Sequence, residues 1–324
     1  MAGRAGRTQR LLAALERTQQ RLDLLAFPVA VFRKSQDDRA TSLAALIAYY
    51  AFFAIFPLLL VLVTVLGIVL KGNEELQRRI IESAVSQIPV VGSQLVASGG
   101  SGIQGHGIGL VVGIVGTFIG ARGMARSFRR STDTVWAVPW YLQGHGVRGF
   151  LATLGLLLVV GGGLVATSVI SGYVVGTIDI GVSARTGGAL LTCLLNVGVF
   201  AVSFRLCASR AVPFRSLWVG AVLAAVSWTV LQLVGGLVVT HVISRSSDVY
   251  GTFALVIGLL TWLFAAAYAT IMSLEVDVVR VNRLWPRTFF VRTTLTEADR
   301  RAMASYVHAE QRHPSQRIAV RYDA

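Results

Sequence analysis

Four polar residues recur at seven-residue intervals where a long uncharged stretch ends. The 26 residues from Val249 to Leu274 carry no charge, and Glu275 follows them directly. Steps of seven from this acid reach Thr261, Tyr268 and Asn282. Because seven residues make nearly two helical turns, the four side chains share one stripe of a helix. A carboxylate on such a stripe could form an ion pair, hold a charged substrate or carry a proton.

A second polar stripe lies upstream of the first, and the apolar segment between the two stripes contributes one more polar residue. Asn196, Ser203 and Arg210 follow the same seven-residue interval, and Gln232 lies on the apolar segment between the two stripes. Polar side chains that face lipid are costly, so they are expected to face the inside of a helix bundle. The pattern predicts a polar groove formed by Glu275, Tyr268, Thr261, Asn196, Ser203 and Gln232.

Cations are available to pair with Glu275 at the same end of these segments. The candidate partners are Arg205, Arg210, Arg122 and Arg126. Three interpretations of such a pair stay open: a structural ion pair, a gate or site for substrate charge, and a proton-coupling site. The Ser and Thr hydroxyls of the stripes could also bond their own helix backbone and have no transport role.

Constellations for catalysis are missing from the sequence. His308 and His313 flank Glu310, but five residues separate them, whereas two ligands on one helical face need a spacing of four. Metal-assisted cleavage of a phosphodiester would need clustered carboxylates or histidines. The sequence therefore predicts no catalytic residue, no metal and no cofactor.

Six uncharged apolar stretches could position the polar residues. Hydrophobic residues make up 54% of the chain and charged residues only 14%, against about 25% in soluble domains. The stretches approach or exceed the roughly 20 residues that a bilayer-spanning helix needs. They cover residues 42–70, 106–121, 149–178, 186–204, 216–244 and 249–274. We predict an all-α polytopic membrane protein with a bundle of six transmembrane helices.

The basic residues lie in alternate loops. Of the 30 Lys and Arg residues, eight precede the first stretch, five lie in 122–148, three in 205–215 and nine in 280–321. Cytoplasmic loops carry the excess of Lys and Arg, so both termini are expected to be cytoplasmic. No aromatic residues interleave with these charges, and nucleic acid is not an expected partner.

The segments around the spans have their own signals. An external amphipathic helix between spans one and two is expected from Asn73, which caps its start, to Pro89, which ends it. Pro57 marks a packing kink or a hinge within span one. Small residues in span two would allow close helix packing, at Gly109, Gly113, Gly116 and Gly120.

The chain divides into three predicted parts. Residues 1–40 form a basic, amphipathic cytoplasmic arm, 41–279 the membrane domain, and 280–324 a basic, partly disordered cytoplasmic tail. Within the arm, residues 8–33 are expected to form an amphipathic helix that lies on the cytoplasmic lipid surface, and a solvated arm is the alternative. Thr296 followed by Glu297 favours a short helix in this tail, because a threonine caps free amides and an acid suits the positive end of a helix.

Four motifs stand out along the chain: ALIAYYAFFAIFPLLL, RRSTDTVWAVP, VPFRSLWVGAVLAAVSW and YGTFALVIGLLTWLFAAAYATIMSLEV. In order and spacing they resemble a known family of bacterial inner-membrane proteins, the YihY/virulence factor BrkB family, whose members often carry an old ribonuclease BN label. The resemblance covers roughly residues 38–290.

The resemblance implies six spans, both termini inside and no settled activity. It also implies a bacterial cytoplasmic membrane as the location. Asp133 stands where the family usually has Asn, and Ser273-Leu274 where Gly-Ala precedes the glutamate. The matched motif positions are Tyr49, Pro57, Trp136, Gly220, Tyr250, Gly251, Trp262 and Glu275.

These observations lead to two hypotheses for function. The first is a transporter or a protein that handles lipids or amphipathic solutes of the cell envelope. Its expected partners are membrane lipids, an anionic amphipathic substrate and a second copy of the chain. The alternative is a membrane scaffold that recruits partners through the arm and the tail. Ribonuclease activity is not expected, because the residues for it are missing.

Overall fold

The fold is all-α, as predicted. The computed structural model describes residues 19–20, 22–69, 107–143, 147–176, 182–209, 212–238, 244–288 and 295–322. Eight α-helices lie within this part of the chain. They are α1 (Asp23–Asp37), α2 (Ala40–Val69), α3 (Gly107–Val135), α4 (Val147–Gly176), α5 (Val182–Cys207), α6 (Trp218–Val238), α7 (Ser244–Asn282) and α8 (Glu297–Ala309).

Four helices are long and apolar enough to cross a membrane. The qualifying segments lie within α4, α5, α6 and α7, at Gly149–Ile170, Leu190–Cys207, Trp218–Gly235 and Val256–Asn282. Helices α2 and α3 have 30 and 29 residues, and the described apolar part of α2 is Ala40–Ile55. Six spans therefore remain a prediction, and the expected external helix from Asn73 to Pro89 lies outside the described residues.

The six long helices pack in chain order around a ring. Each helix from α2 to α7 packs on the next one in the chain, and α7 returns to pack on α2. Helix α3 also reaches α5 and α7. A Cβ atom on Gly120 would lie 2.8 Å from the Cα atom of Ala54, so α2 and α3 approach closely here, as the glycine spacing predicted.

The other predicted hinge and packing positions lie on the same two helices. Pro57 is inside the continuous helical backbone of α2. Gly109, Gly113 and Gly116 occupy the amino-terminal half of α3. A hinge at these positions stays a prediction.

The hydrophobic core gathers at the end of the ring where α7 stops, called here the charged end. Helices α1 and α8 both contribute to this core, α1 through the buried Ala30 and Val31 and α8 through the buried Ala302. One side of the described arm thus packs on protein, and Leu25 and Phe32 of α1 are exposed. A position of the arm on the lipid surface stays a prediction.

Helix α8 begins where the sequence placed it. The Thr296 hydroxyl accepts a hydrogen bond from the Asp299 amide, and the Asp299 carboxylate accepts one from the Thr296 amide. This reciprocal capping box satisfies two amides that a helix start leaves free. The described tail therefore begins with a capped helix that contributes Ala302 to the core, and residues 310–322 follow it without helical structure.

Candidate functional site at the charged end

Glu275 lies on α7 with a side chain that is 0% exposed. Its neighbours Ile271, Leu274 and Val278 are buried apolar residues of the core. Its carboxylate oxygen Oε2 is 3.5 Å from the ammonium nitrogen of Lys34 on α1. The last long helix is thus joined to the arm by a buried ion pair.

Lys34 has three further partners. It donates a hydrogen bond to the Asp38 carboxylate and another, of 2.9 Å, to the backbone carbonyl of Val135, where α3 ends. Its ammonium also lies 5.4 Å from the ring centroid of Tyr306 on α8. Four elements therefore meet at one ammonium group. Lys34, Asp38 and Glu275 are called here the Lys34 cluster.

The Lys34 cluster is unbalanced in charge and in hydrogen bonds. It holds two carboxyl groups against one ammonium, and the three residues are 1%, 6% and 0% exposed. Oδ1 of Asp38 and both carboxylate oxygens of Glu275 receive no hydrogen bond from the described residues. Burial of a charge without full pairing costs on the order of several kcal/mol of folding free energy.

A second set of charges holds the tail helix in place. The guanidinium of Arg287 donates from Nε to Asp299 over 3.0 Å and from Nη2 to Asp37 over 2.8 Å. Nε of Arg33 lies 3.7 Å from Asp37. The backbone amide and hydroxyl of Thr288 both donate to Asp299, over 3.1 Å and 2.9 Å. Arg287, Arg33, Asp37, Asp299 and Thr288 are called here the Arg287 cluster.

The Arg287 cluster has two cations and two carboxylates, and its hydrogen bonds stabilise the charged forms. Burial raises the pKa of Asp299, but hydrogen bonds from Thr296, Thr288 and Arg287 outweigh burial and hold that pKa below its usual value. Burial lowers the pKa of Arg287, and the carboxylates of Asp299 and Asp37 more than compensate, so its pKa is raised. Through Arg287, this cluster connects α8 and the segment after α7 to α1.

Tyr306 links the two clusters. Its ring faces Lys34, and its side chain also lines a cleft of about 500 Å³ beside the Arg287 cluster. Burial raises the pKa of Tyr306, and the nearby carboxylates of Asp38 and Asp37 raise it further. Within the described residues, the walls of this cleft are Arg33, Asp37, Arg287, Thr288, Leu295, Asp299, Met303 and Tyr306.

Gly220 on α6 explains how α7 is positioned. A Cβ atom at this residue would lie 2.4 Å from Oδ2 of Asp277 and 2.7 Å from the carbonyl oxygen of Ser273. Asp277 in turn lies 3.4 Å from the guanidinium of Arg280. Only glycine leaves room for α7 at this point, which gives a physical reason for a residue that the sequence marked only through the family resemblance.

The residues of the predicted polar groove differ in burial and in their contacts. Thr261 is exposed and donates its hydroxyl to the carbonyl of Ile257 one turn earlier, which is the backbone-bonded alternative. Tyr268 is half-buried and stacks on Phe264. Ser203 is buried, and its hydroxyl has no partner among the described residues. Asn196 and Gln232 are half-buried. A groove that joins these residues to Glu275 remains a prediction.

Among the described residues, the cation beside Glu275 is Lys34, because α1 packs directly against α7 here. Arg122 and Arg126 are exposed on α3, and Arg205 is half-buried on α5. Arg210 lies outside the described residues, and its pairing with Glu275 stays a prediction.

Sequence reasoning missed Lys34 although two signals were present. The chain contains only two lysines among its 30 basic residues. Lys34 also precedes Asp38 by one helical turn, next to the small apolar residues Ala30 and Val31. An amphipathic segment can bury its apolar face in lipid or in protein. Because the arm was expected to lie on lipid, Lys34 was not considered as a partner of Glu275.

Potential metal ligands are not grouped in this part of the structure. Among the described residues, no three His, Cys, Asp or Glu side chains are placed so that they could hold a metal ion.

The four long apolar helices, together with the buried charges at their end, define a multi-pass α-helical membrane protein. The chain belongs to the Virulence factor BrkB family, whose family model matches residues 31–288. The match includes Lys34, Glu275 and Arg287 and ends before α8. No curated protein and no solved structure matches the chain.

Proposed function

We propose that this protein transports or repositions an anionic amphipathic solute of the cell envelope, with the Lys34 cluster as its moving part. One observation carries the proposal: three ionisable side chains are buried between α1 and α7, with more carboxyl groups than ammonium groups. Ionisable residues inside a membrane bundle usually mark a path for substrate or ions.

The contrast with the Arg287 cluster supports a role beyond structure. A structural ion pair is best served by matched charges and saturated hydrogen bonds, which the Arg287 cluster has around Asp299. The Lys34 cluster leaves three carboxylate oxygens without a donor. Such a cluster is costly in one fixed arrangement, and a second arrangement in which the carboxyl groups gain further donors would relieve that cost.

The proposed movement follows from the contacts of Lys34. Its ammonium joins α1 to α7 and to the end of α3. An anionic headgroup that takes over the ammonium would loosen α1 from α7 at the charged end, which faces the cytoplasm in the orientation expected from the basic loops. Polar groups of the predicted groove, such as Ser203 and Tyr268, would line the path from there.

Native mass spectrometry of the gently released protein tests whether such a solute binds. The proposal expects one enriched anionic lipid or envelope precursor on the wild type, with reduced occupancy on Lys34→Met, because the ammonium that the headgroup would contact is lost. The matched control is Arg300→Met, because the Arg300 side chain is 46% exposed on α8. Bulk lipid alone on all three proteins would overturn the proposal, and the same spectra give the number of chains in the assembly.

A vesicle assay tests movement directly. Proteoliposomes would carry a trace of phosphatidylglycerol with a fluorescent headgroup, and a membrane-impermeant quencher would be added outside. We expect the wild type to expose label from the inner leaflet, and Glu275→Gln to do so several-fold more slowly. Quenching that stops at the outer-leaflet fraction for the wild type would count against movement of this lipid class.

A membrane scaffold is the second candidate, supported by the outer face of α8. Arg300 and Arg301 are exposed there and could meet an acidic partner. Of the described arm and tail, α1 and α8 contribute to the core, whereas residues 310–322 are largely exposed. Charge reversal of the two exposed arginines, Arg300→Glu together with Arg301→Glu, separates the two candidates: loss of a cellular phenotype with lipid movement intact would favour the scaffold.

A further inference from the structure

Two buried carboxyl groups share one ammonium inside the Lys34 cluster. The Nζ atom of Lys34 lies 3.5 Å from Oε2 of Glu275 on α7 and also contacts Oδ2 of Asp38 at the end of α1. Both residues are buried, at 0% and 6% exposure. Their free oxygens therefore point into a space that bulk water does not reach.

The groups that surround this pair come from four elements. Helix α1 supplies the Lys34 ammonium, and the end of α3 supplies the carbonyl of Val135, which occupies one donor position of that ammonium. Helix α8 supplies Tyr306, whose hydroxyl makes no hydrogen bond with the described residues. On α7, the nearby Asp277 is engaged by Arg280 and by the close approach of Gly220.

The more distant charges are also accounted for. Arg287 is held by Asp37 and Asp299 in the neighbouring cluster. Asp133 on the last turn of α3 is buried and lies near Arg129. The ammonium of Lys34 is thus the cation nearest to the carboxyl pair within the described structure, and it can balance only one of the two negative charges.

A single proton resolves this imbalance. Two ionised carboxylates can only accept hydrogen bonds, so they repel each other at close range. When one of them is protonated, its O–H donates to the other, and the pair carries one negative charge opposite one ammonium. Two carboxyl groups that share a site in this way take up protons as a unit.

We infer that Glu275 and Asp38 bind one proton between them while Lys34 remains an ammonium ion. In this state the Lys34 cluster is electrically neutral, and one of the orphaned carboxylate oxygens gains a donor. Release of the proton leaves a net charge of −1 in the core and weakens the contact between α1 and α7. The inference concerns proton binding alone and would stand even if the protein moved no solute.

Infrared difference spectroscopy of the purified full-length protein tests the inference. A protonated carboxyl group has a C=O stretch at higher wavenumber than the bands of a carboxylate, and that stretch shifts in heavy water. We expect this band in the wild type at neutral pH, and its loss in Glu275→Gln and in Asp38→Asn. Glu297→Gln, with its exposed side chain, should keep the band.

Asp133 requires its own control, because burial raises its pKa to about 6 although Arg129 lowers it. The band of the pair should persist in Asp133→Asn. The wild-type spectrum alone can refute the inference: if no protonated-carboxyl band is seen at neutral pH, no proton is bound there, whether or not the variants fold. A band lost in Glu275→Gln and kept in a folded Asp38→Asn would place the proton on Glu275 alone and overturn the shared site.

Discussion

The two charged clusters lie side by side and differ in charge balance and in the pairing of their carboxylates, although Nη1 of Arg287 and Nε of Arg33 also have no hydrogen-bond partner among the described residues. In the Arg287 cluster, two cations meet two carboxylates, and Asp299 accepts hydrogen bonds from Arg287, Thr288 and Thr296. In the Lys34 cluster, one ammonium meets two carboxyl groups, and three carboxylate oxygens lack donors. Both clusters join α1 to later parts of the chain, but only the Lys34 cluster is buried throughout, because Arg33 and Asp37 of the Arg287 cluster reach the surface.

The difference shows that burial alone does not distinguish a structural charge from a functional one. Removal of one partner from a satisfied pair leaves an uncompensated charge and is expected to cost stability. Neutralisation of the excess charge in an unbalanced cluster is expected to cost little and to change function. The predictions below test this contrast, beginning with the largest expected effect.

Arg287→Met should be the most destabilising change. It would leave Asp299 buried without its guanidinium partner and release Asp37 as well. We expect a loss of about 3 to 5 kcal/mol in the free energy of unfolding. Denaturant unfolding in detergent would measure it, with Arg300→Met as control, because Arg300 forms an exposed pair worth about 1 kcal/mol or less. Equal effects from the two changes would show that Arg287 does not hold α8 against α1.

Lys34→Met should cost somewhat less, about 3 kcal/mol. The change leaves Asp38 and Glu275 buried near each other without a cation and frees the carbonyl of Val135. Thermal unfolding in detergent at neutral pH would show the loss. A neutral outcome would mean that the ammonium contributes nothing to the contact between α1 and α7.

Gly220→Ala tests the packing that places α7. Its new methyl group would collide with Asp277 and with the Ser273 carbonyl, and overpacking of this kind costs about 1 to 3 kcal/mol. Gly198→Ala on α5 is the matched control, since a Cβ atom there meets nothing within 4 Å. The control should be neutral or slightly stabilising, because alanine favours helix over glycine by roughly 1 kcal/mol. If both variants unfold at the same temperature, α6 and α7 do not approach each other closely at Gly220.

Asp133→Asn should have the smallest effect, and one that depends on pH. Asp133 lies beyond the predicted span 106–121, and burial raises its pKa to about 6 against a lowering by Arg129. A raised carboxyl pKa favours folding below the unfolded value of about 3.9, and this contribution is lost as pH rises through about 6. The variant should therefore gain about 1 kcal/mol over the wild type at pH 8 and lose that gain near pH 4. Thermal unfolding at both pH values would measure it, and a difference independent of pH would refute it.

Much of the fold could be predicted from the sequence because hydropathy has a direct physical cause. The four apolar segments of α4 to α7 follow from the length a bilayer requires, and the capping pattern at Thr296 predicted the start of α8. Glu275 could be singled out because a carboxylate directly after an uncharged span is costly.

The partners of Glu275 could not be predicted, because they depend on tertiary packing. Lys34 is separated from Glu275 by the whole membrane domain in the chain, and only the ring closure of α2 to α7 brings α1 beside α7. The contact between Arg287 and Asp37 likewise spans 250 residues. No periodicity within one segment carries such information.

A double-mutant cycle between Lys34 and Glu275 tests the central claim most directly. Unfolding free energies of the wild type, Lys34→Met, Glu275→Gln and the double variant would be measured in one detergent at neutral pH. The unbalanced cluster predicts a small effect of Glu275→Gln, and a cost of Lys34→Met that falls by about 1 kcal/mol or more when Glu275 is already neutral. Strictly additive effects would show that the two groups do not interact, and would contradict the site described here.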